Sequence, residues 1–213
     1  MKTTYLYLIR HGQSQGNLHD LFLGHTDLDL TPLGHAQAEK TAEFLAAVPV
    51  DVIFSSDLKR AYQTALHTAE KKGIAAQPDP RLREIFAGEW EGVPFADLKT
   101  RYAPGFEVWL HDFGAARCDG GESVAELKDR IFSAISSIAQ ENEGKHVCIF
   151  THATPIRLMG SVVKGLSLKE AGTFPWPSNA SVTTLAYENG EFALLNYSND
   201  SFMGDMVTRL SDL

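Results

Sequence analysis

Tyr5-Leu6-Tyr7-Leu8-Ile9-Arg10-His11-Gly12 is the stretch on which the reading of this chain turns. Tyr5 to Ile9 is a short aromatic and aliphatic run, which predicts a strand. Arg10 and His11 follow at once, so two strongly polar side chains stand at its carboxyl end. The pattern recurs downstream: His146 to Phe150 is a strand-like run followed by Thr151-His152-Ala153, and Val52 to Ser55 is another, with Arg60 in the first turn of the helix behind it.

Between these runs lie longer helical patterns, and the alternation predicts a three-layer α/β/α sandwich on a mostly parallel sheet. Thr31-Pro32 opens a helix that runs to about Ala47, with a capping hydroxyl and then proline at the first helical position. Ser56 and Asp57 are cap candidates for a helix ending at Gly73, and Ile74 to Gln77 is a short third strand. Ser123-x-x-Glu126 is a capping box, behind which Val124, Leu127, Ile131, Ile135 and Ile138 form one apolar stripe. Pro155 to about Lys164 is helical. A second box, Ser167-x-x-Glu170, precedes a C-terminal hairpin that turns at Asn189-Gly190 between Val182–Tyr187 and Phe192–Tyr197. From about 78 to 121 the pattern loosens into Pro, Gly and aromatic residues with two short helices, read as a lid over one domain spanning 1–213.

Of the 213 residues, 44% are hydrophobic and 22% charged, the balance of an ordinary globular chain. The net charge of −8 leaves no broad basic surface for a nucleic acid backbone or an anionic membrane. No window reaches the roughly 20 apolar residues of a membrane span, and the N-terminus has no signal-peptide pattern. Cys118 and Cys148 are the only cysteines, too few for a disulfide framework or a cysteine-rich zinc site, which fits a reducing cytoplasm. Nothing in the sequence sets an oligomeric state.

Ligands of open α/β sheets bind beyond the carboxyl ends of the strands. Arg10, His11, Arg60 and His152 are therefore expected to converge there. Arginine forks match phosphate oxygens, and a helix starting after His152 adds backbone N–H groups. The expected partner is a small phosphorylated substrate. One imidazole attacks phosphorus while arginines hold the transferred oxygens, so no metal or other cofactor is needed. Glu84, in the first part of the loose segment, is the candidate acid for the leaving oxygen.

Other readings compete. Gly12-Gln13-Ser14-Gln15-Gly16 matches the G-x-S-x-G nucleophile elbow, but only one strand precedes it and the residues behind it read as loop. A metal hydrolase on His11, His25 and His152 lacks a ligand spacing such as H-E-x-x-H. A non-catalytic phospholigand-binding module would have no need of both His11 and Glu84.

Arg10-His11-Gly12-Gln13-Ser14-Gln15-Gly16-Asn17 resembles the RHGE-(S/T)-x-x-N signature of the histidine phosphatases and phosphoglycerate mutases. The resemblance continues at Leu30-Thr31-Pro32-Leu33-Gly34, at Ser55-Ser56-Asp57-Leu58-Lys59-Arg60-Ala61, at Leu82-Arg83-Glu84 with Gly88-Glu89-Trp90-Glu91-Gly92, at Gly121-Glu122-Ser123, and at Thr151-His152 with Pro155-Ile156-Arg157. It implies His11 as nucleophile, Glu84 as acid, and Arg10, Arg60 and His152 on the phosphate. Its implied substrate-binding set also takes in Gln13, Ser14, Asn17, Gly24 and Ala153. Gln13 stands where glutamate is more frequent, Ala153 where many members have glycine, and Leu23 where the glycolytic mutases have a threonine. The short chain and its GxWEG pattern point to the phosphatase branch, with mutase-type phosphoryl transfer as the alternative. The aromatic residues Phe86, Trp90, Phe95, Trp109 and Phe113 either line a leaving-group pocket or pack.

Overall fold

The computed structural model describes residues 2–210. Its main sheet has six strands in the order β4-β3-β6-β1-β7-β8. Here β1 is Thr4–Arg10, β3 Val52–Ser55, β4 Ala76–Pro78, β6 His146–Thr151, β7 Val182–Glu188 and β8 Glu191–Asn199. The first four strands of that order are parallel, while β7 runs antiparallel to both β1 and β8. The expected α/β class and C-terminal hairpin are thus both present. Asn189 (φ 54°) and Gly190 (φ 88°) are both left-handed, the backbone that a two-residue hairpin turn requires.

Helices cover both faces because both faces of the central strands are apolar. Leu6 and Leu8 of β1 point to one side, where Ile131, Ile135 and Ile138 of α6 (Val124–Glu141) and Ile156 and Met159 of α7 (Ala153–Val163) pack on them. Tyr7 and Ile9 point to the other, against Leu45 of α2 (Pro32–Ala46) and Ala65 and Ala69 of α3 (Lys59–Lys72). The predicted stripe of α6 is fully buried or nearly so, and the capping box at Ser123 is formed on both sides.

Three local expectations change. The residues behind Gly12 contain a one-turn helix, α1 (Gln15–Leu18), and a two-residue strand, β2 (Leu21–Phe22), paired with β5 (Val93–Pro94). The cap of α3 is Leu58, because the Asp57 carboxylate is taken by Arg83 and the Ser56 hydroxyl by other partners. The box at Ser167 holds only a 3-10 turn, Glu170–Thr173.

The segment 78–121 contains α4 (Phe95–Arg101) and α5 (Ala103–His111) and supplies most of a second buried cluster, which it shares with β2, α6 and α7. Trp90, Trp109 and Phe113 are buried in it beside Phe22, Phe106 and Leu127, with edge-to-face ring contacts between Trp90 and Phe106 and between Trp109 and Phe113. Packing is therefore the main work of these aromatics; Phe86 is exposed.

One close approach fixes the loop that carries His11. A Cβ on Gly12 would overlap the Gly34 carbonyl oxygen, and a Cβ on Gly34 would overlap that of Gln13, so α2 starts in direct backbone contact with the 11–13 loop. Glycine to alanine inside a helix ordinarily stabilises by up to about 1 kcal/mol. Gly34→Ala is expected to do the reverse and destabilise by roughly 1–3 kcal/mol, as overpacking does. Chemical denaturation reads the sign, and a stabilised variant would refute the contact.

Candidate active site

Register puts the key residues side by side. Arg10 of β1 is aligned with Thr151 of β6, the His11 N–H donates to the Thr151 carbonyl at 3.0 Å, and Ser55 of β3 is aligned with Phe150. Three neighbouring parallel strands therefore end together, and His11, His152 and Ser56 each begin the chain beyond its own strand. The His11 and His152 rings meet edge to face with centroids 5.2 Å apart. Both residues are buried, as are Arg10 and Arg60.

The His11 tautomer follows from its partner. His11 Nδ1 lies 2.7 Å from the Gly12 carbonyl oxygen, which can only accept, so Nδ1 carries the proton and Nε2 is bare. Arg60 Nε–H donates to that bare nitrogen at 3.3 Å. The Ser56 hydroxyl accepts the Leu58 N–H and is hydrogen-bonded to His152 Nε2 at 2.8 Å. His152 Nδ1 is buried and has no partner among the described residues. Arg10 Nε–H is buried and unpartnered among them in the same way. Buried polar atoms without partners are rare, and an anion is the kind of group that would accept the Arg10 N–H.

The guanidinium Nη groups are held by backbone oxygens and, among the described residues, by no carboxylate. Arg10 Nη1 donates to the Pro177 carbonyl at 2.6 Å, and Arg60 Nη1 and Nη2 donate to the carbonyls of Thr26 and Gly24 at 2.8 and 2.7 Å. Burial pulls both down to about 10, which leaves them charged at neutral pH. Burial first, then Arg60 and Arg10, hold His11 well below its ordinary 6.5; burial and Arg60 do the same to His152. Both imidazoles are thus neutral.

Asn17 and Glu84 complete the group. Asn17 Oδ1 accepts from the Ser14 N–H, the Ser14 hydroxyl and Asn179 Nδ2, and Asn17 lies at the cavity wall. Glu84 Oε1 accepts the Ile85 N–H, and Oε2 accepts the Thr154 N–H in the first turn of α7. The Glu84 carbonyl is fixed by Arg130 Nη2 and by His25 Nε2, each at 3.0 Å.

Arg10, His11, Asn17, Arg60, Glu84 and Ala153 line a cavity of about 60 Å³ walled further by Leu23, Phe95, Trp109 and Trp176. His152 abuts it through His11. Gln13 and Ser14 stay outside: the Gln13 side chain accepts from the Thr31 hydroxyl, and the buried Ser14 hydroxyl bonds Asn17, which also removes it as a serine nucleophile. Gly24 contributes only its carbonyl, to Arg60. Among the described residues no three His, Cys, Asp or Glu side chains form a metal-binding group.

Asn179, shortly before β7, is a further residue that holds the site and that no sequence motif marks. Its Nδ2 and the N–H of Ala180, buried at φ 56°, both donate to the His11 carbonyl. A polar residue before a strand gives no hint of that target.

Such a fold and cluster define a phosphoryl-binding α/β protein. The family model described as the histidine phosphatase superfamily (branch 1) matches residues 6–200, and the chain belongs to that family. It is 30% identical to phosphoserine phosphatase 1 of Hydrogenobacter thermophilus over 94% of each chain. It is 31% identical to a probable phosphoglycerate mutase of Proteus mirabilis over 98% of this chain and 95% of that one. Among solved structures, Bacillus stearothermophilus YhfR superposes with a TM-score of 0.90 at 28% identity, covering 94% of this chain and 99% of that one.

The depressed histidines set a pH dependence. An unfolded histidine takes up a proton below about 6.5, whereas the folded pair does not, so acid favours unfolding. Each histidine is expected to remove up to about 1.4 kcal/mol per pH unit below 6.5. Urea unfolding of the ligand-free protein at pH 7.5, 6 and 5 measures this. The slope should shrink in His11→Asn and His152→Asn, and identical slopes in all three proteins would refute it.

Proposed function

We propose that the protein hydrolyses phosphomonoesters of small metabolites through a phosphohistidine on His11. One observation carries this reading: Arg60 Nε–H donates to the bare His11 Nε2 in a cavity that Arg10 and Asn17 also line, and Arg10 Nε–H is buried with no partner among the described residues. A phosphoryl group bound there meets a nucleophile and the donors its equatorial oxygens need.

In the first step His11 Nε2 forms a bond to phosphorus as the ester P–O bond breaks. The Nδ1–H on the Gly12 carbonyl stabilises the cationic ring that results. Arg10, Arg60, His152 and Asn17 hold the transferred oxygens, whose charge shifts during transfer. Glu84 in its acid form gives its proton to the departing alkoxide. In the second step the Glu84 carboxylate takes a proton from water as the water oxygen attacks phosphorus, which releases phosphate and restores both residues. The arginines supply the positive charge that a metal supplies elsewhere.

The leaving group faces Leu21, Leu23, Phe95, Trp109 and Trp176. Beyond Trp109, Trp176 and Leu210 lies a larger cavity of about 760 Å³, lined by those three residues too, with room for groups well beyond the ester oxygen. Leu23 offers no hydrogen bond to a carboxylate, which favours water over a bound phosphoglycerate as acceptor.

Rapid quenching with labelled substrate tests the intermediate. Phosphoramidates survive base and hydrolyse in acid, so label should be retained in alkali, lost in acid, and absent from His11→Ala; an acid-stable adduct would sink the assignment. A second comparison separates the acid from the clamp. Glu84→Gln should slow alkyl phosphates far more than nitrophenyl phosphate, whose phenolate needs little protonation. Arg60→Ala should slow both by a factor of about 100 or more. Equal losses on both substrates for Glu84→Gln would make it a packing residue.

A further inference from the structure

Arg60 depends on two carbonyls, and those carbonyls depend on a side chain the mechanism does not use. The oxygens that accept its Nη1 and Nη2 protons belong to Thr26 and Gly24, in the short loop behind β2. That loop is gripped by Glu91. Glu91 Oε1 accepts the His25 N–H at 2.7 Å and the Ala87 N–H at 3.1 Å, while Oε2 accepts the Thr26 N–H at 2.6 Å and the Thr26 hydroxyl.

Gly24 shows how close this grip is. It is left-handed at φ 49°, and a Cβ there would overlap Glu91 Oε1 and crowd Ala87. The loop can lie against the carboxylate only because residue 24 has no side chain. Since four donors use both oxygens, Glu91 is not available as a substitute for Glu84 in proton transfer. It lies instead between two working parts: residues 24–26, which aim Arg60, and residues 84–87, which carry the acid.

We propose that Glu91 is a positioning residue for Arg60, holding the Gly24 and Thr26 carbonyls where they direct the guanidinium Nε–H onto the attacking nitrogen of His11. Its negative charge also favours the charged form of the buried Arg60. The inference rests on the phosphoryl-transfer reading for its kinetic readout but not for its binding readout.

Glu91→Gln is the informative substitution. Each carboxylate oxygen faces at least one backbone N–H, so either orientation of the glutamine amide sets its NH2 against a donor. The loop must then shift, and misplacement by about 1 Å costs up to roughly 100-fold in rate. The expected loss in kcat/KM is about 10- to 100-fold, equal for alkyl and nitrophenyl phosphates because the transferred group is affected. Affinity for vanadate should weaken by a similar factor. In the Arg60→Ala background the same substitution should change either quantity less than about twofold, since the group it positions is gone.

Two results would overturn the proposal: a full, independent loss in the double variant, or a loss confined to alkyl phosphates. If Glu91→Gln fails to fold, Thr26→Val removes one donor to Glu91 and keeps the carbonyl that Arg60 uses. It should show a smaller loss of the same kind, about two- to fivefold and absent in the Arg60→Ala background, and an unchanged or additive effect would refute the link. If the parent protein hydrolyses no phosphomonoester, the proposed function fails. Calorimetric binding of inorganic phosphate to the same four proteins then still decides whether Glu91 acts through Arg60.

Discussion

Two guanidinium groups held out of water, with no carboxylate bonded to them among the described residues, are the constraint on which this molecule is arranged. Removing an ion from water is expensive, and ordinarily an opposite charge moves in to offset it. Here the direct partners of Arg10 and Arg60 are the carbonyls of Pro177, Gly24 and Thr26. Carbonyl dipoles hold the cations without neutralising them, so a positive field remains at the strand ends. Burial first, and that field second, keep His11 and His152 unprotonated, and an uncharged His11 is the form with a lone pair to offer. The neutral imidazoles and the charge beside them both belong to one patch held out of water.

The sheet supplies what such an arrangement needs, namely backbone that cannot drift. With β1 between β6 and β7, the residues leaving β1 are bonded from both sides: the His11 N–H donates to Thr151, and the His11 carbonyl accepts from Ala180 and Asn179. Below them, the contact of Gly12 and Gly34 sets α2 against the same loop. Hydrogen bonds to its main-chain atoms thus fix His11 before its own side chain is considered. A catalytic group on a free loop would pay for that order at each turnover.

Much of this was legible in the sequence because it depends on periodicity and chain punctuation. The first strand, the stripe of α6 and the Asn189-Gly190 turn each have a local physical signal and each was found, the strand one residue longer at either end than the run from Tyr5 to Ile9. The placement of Arg10, His11, Arg60 and His152 in one cluster followed from the strand-end rule. What was hidden rests on main-chain oxygens and on partners distant in sequence. No residue type announces that its carbonyl will hold an arginine, as those of Gly24 and Thr26 do. Ser56 looked like a cap because serine usually is one, yet its hydroxyl is hydrogen-bonded to a histidine 96 positions away. The short pair β2–β5 has too few residues to show a period at all.

The two ends of the pocket are built from different parts of the chain, and on the proposed mechanism this separates chemistry from selection. The end that holds Arg10, His11 and Arg60 is made by strand ends of the sheet and the first turns of α3 and α7. The other end is walled by Leu23, Phe95, Trp109 and Trp176, of which Phe95 and Trp109 belong to the segment 78–121. Glu84 joins them. Its carboxylate is bonded to Thr154 of α7, while its carbonyl is bonded to Arg130 of α6, which is itself paired with Glu122. The proposed acid is thus referenced to the sheet's own helices although it lies in the segment that supplies the aromatic walls. If Glu84 is that acid, substitutions among the aromatic walls alter which leaving groups fit without moving the proton that releases them.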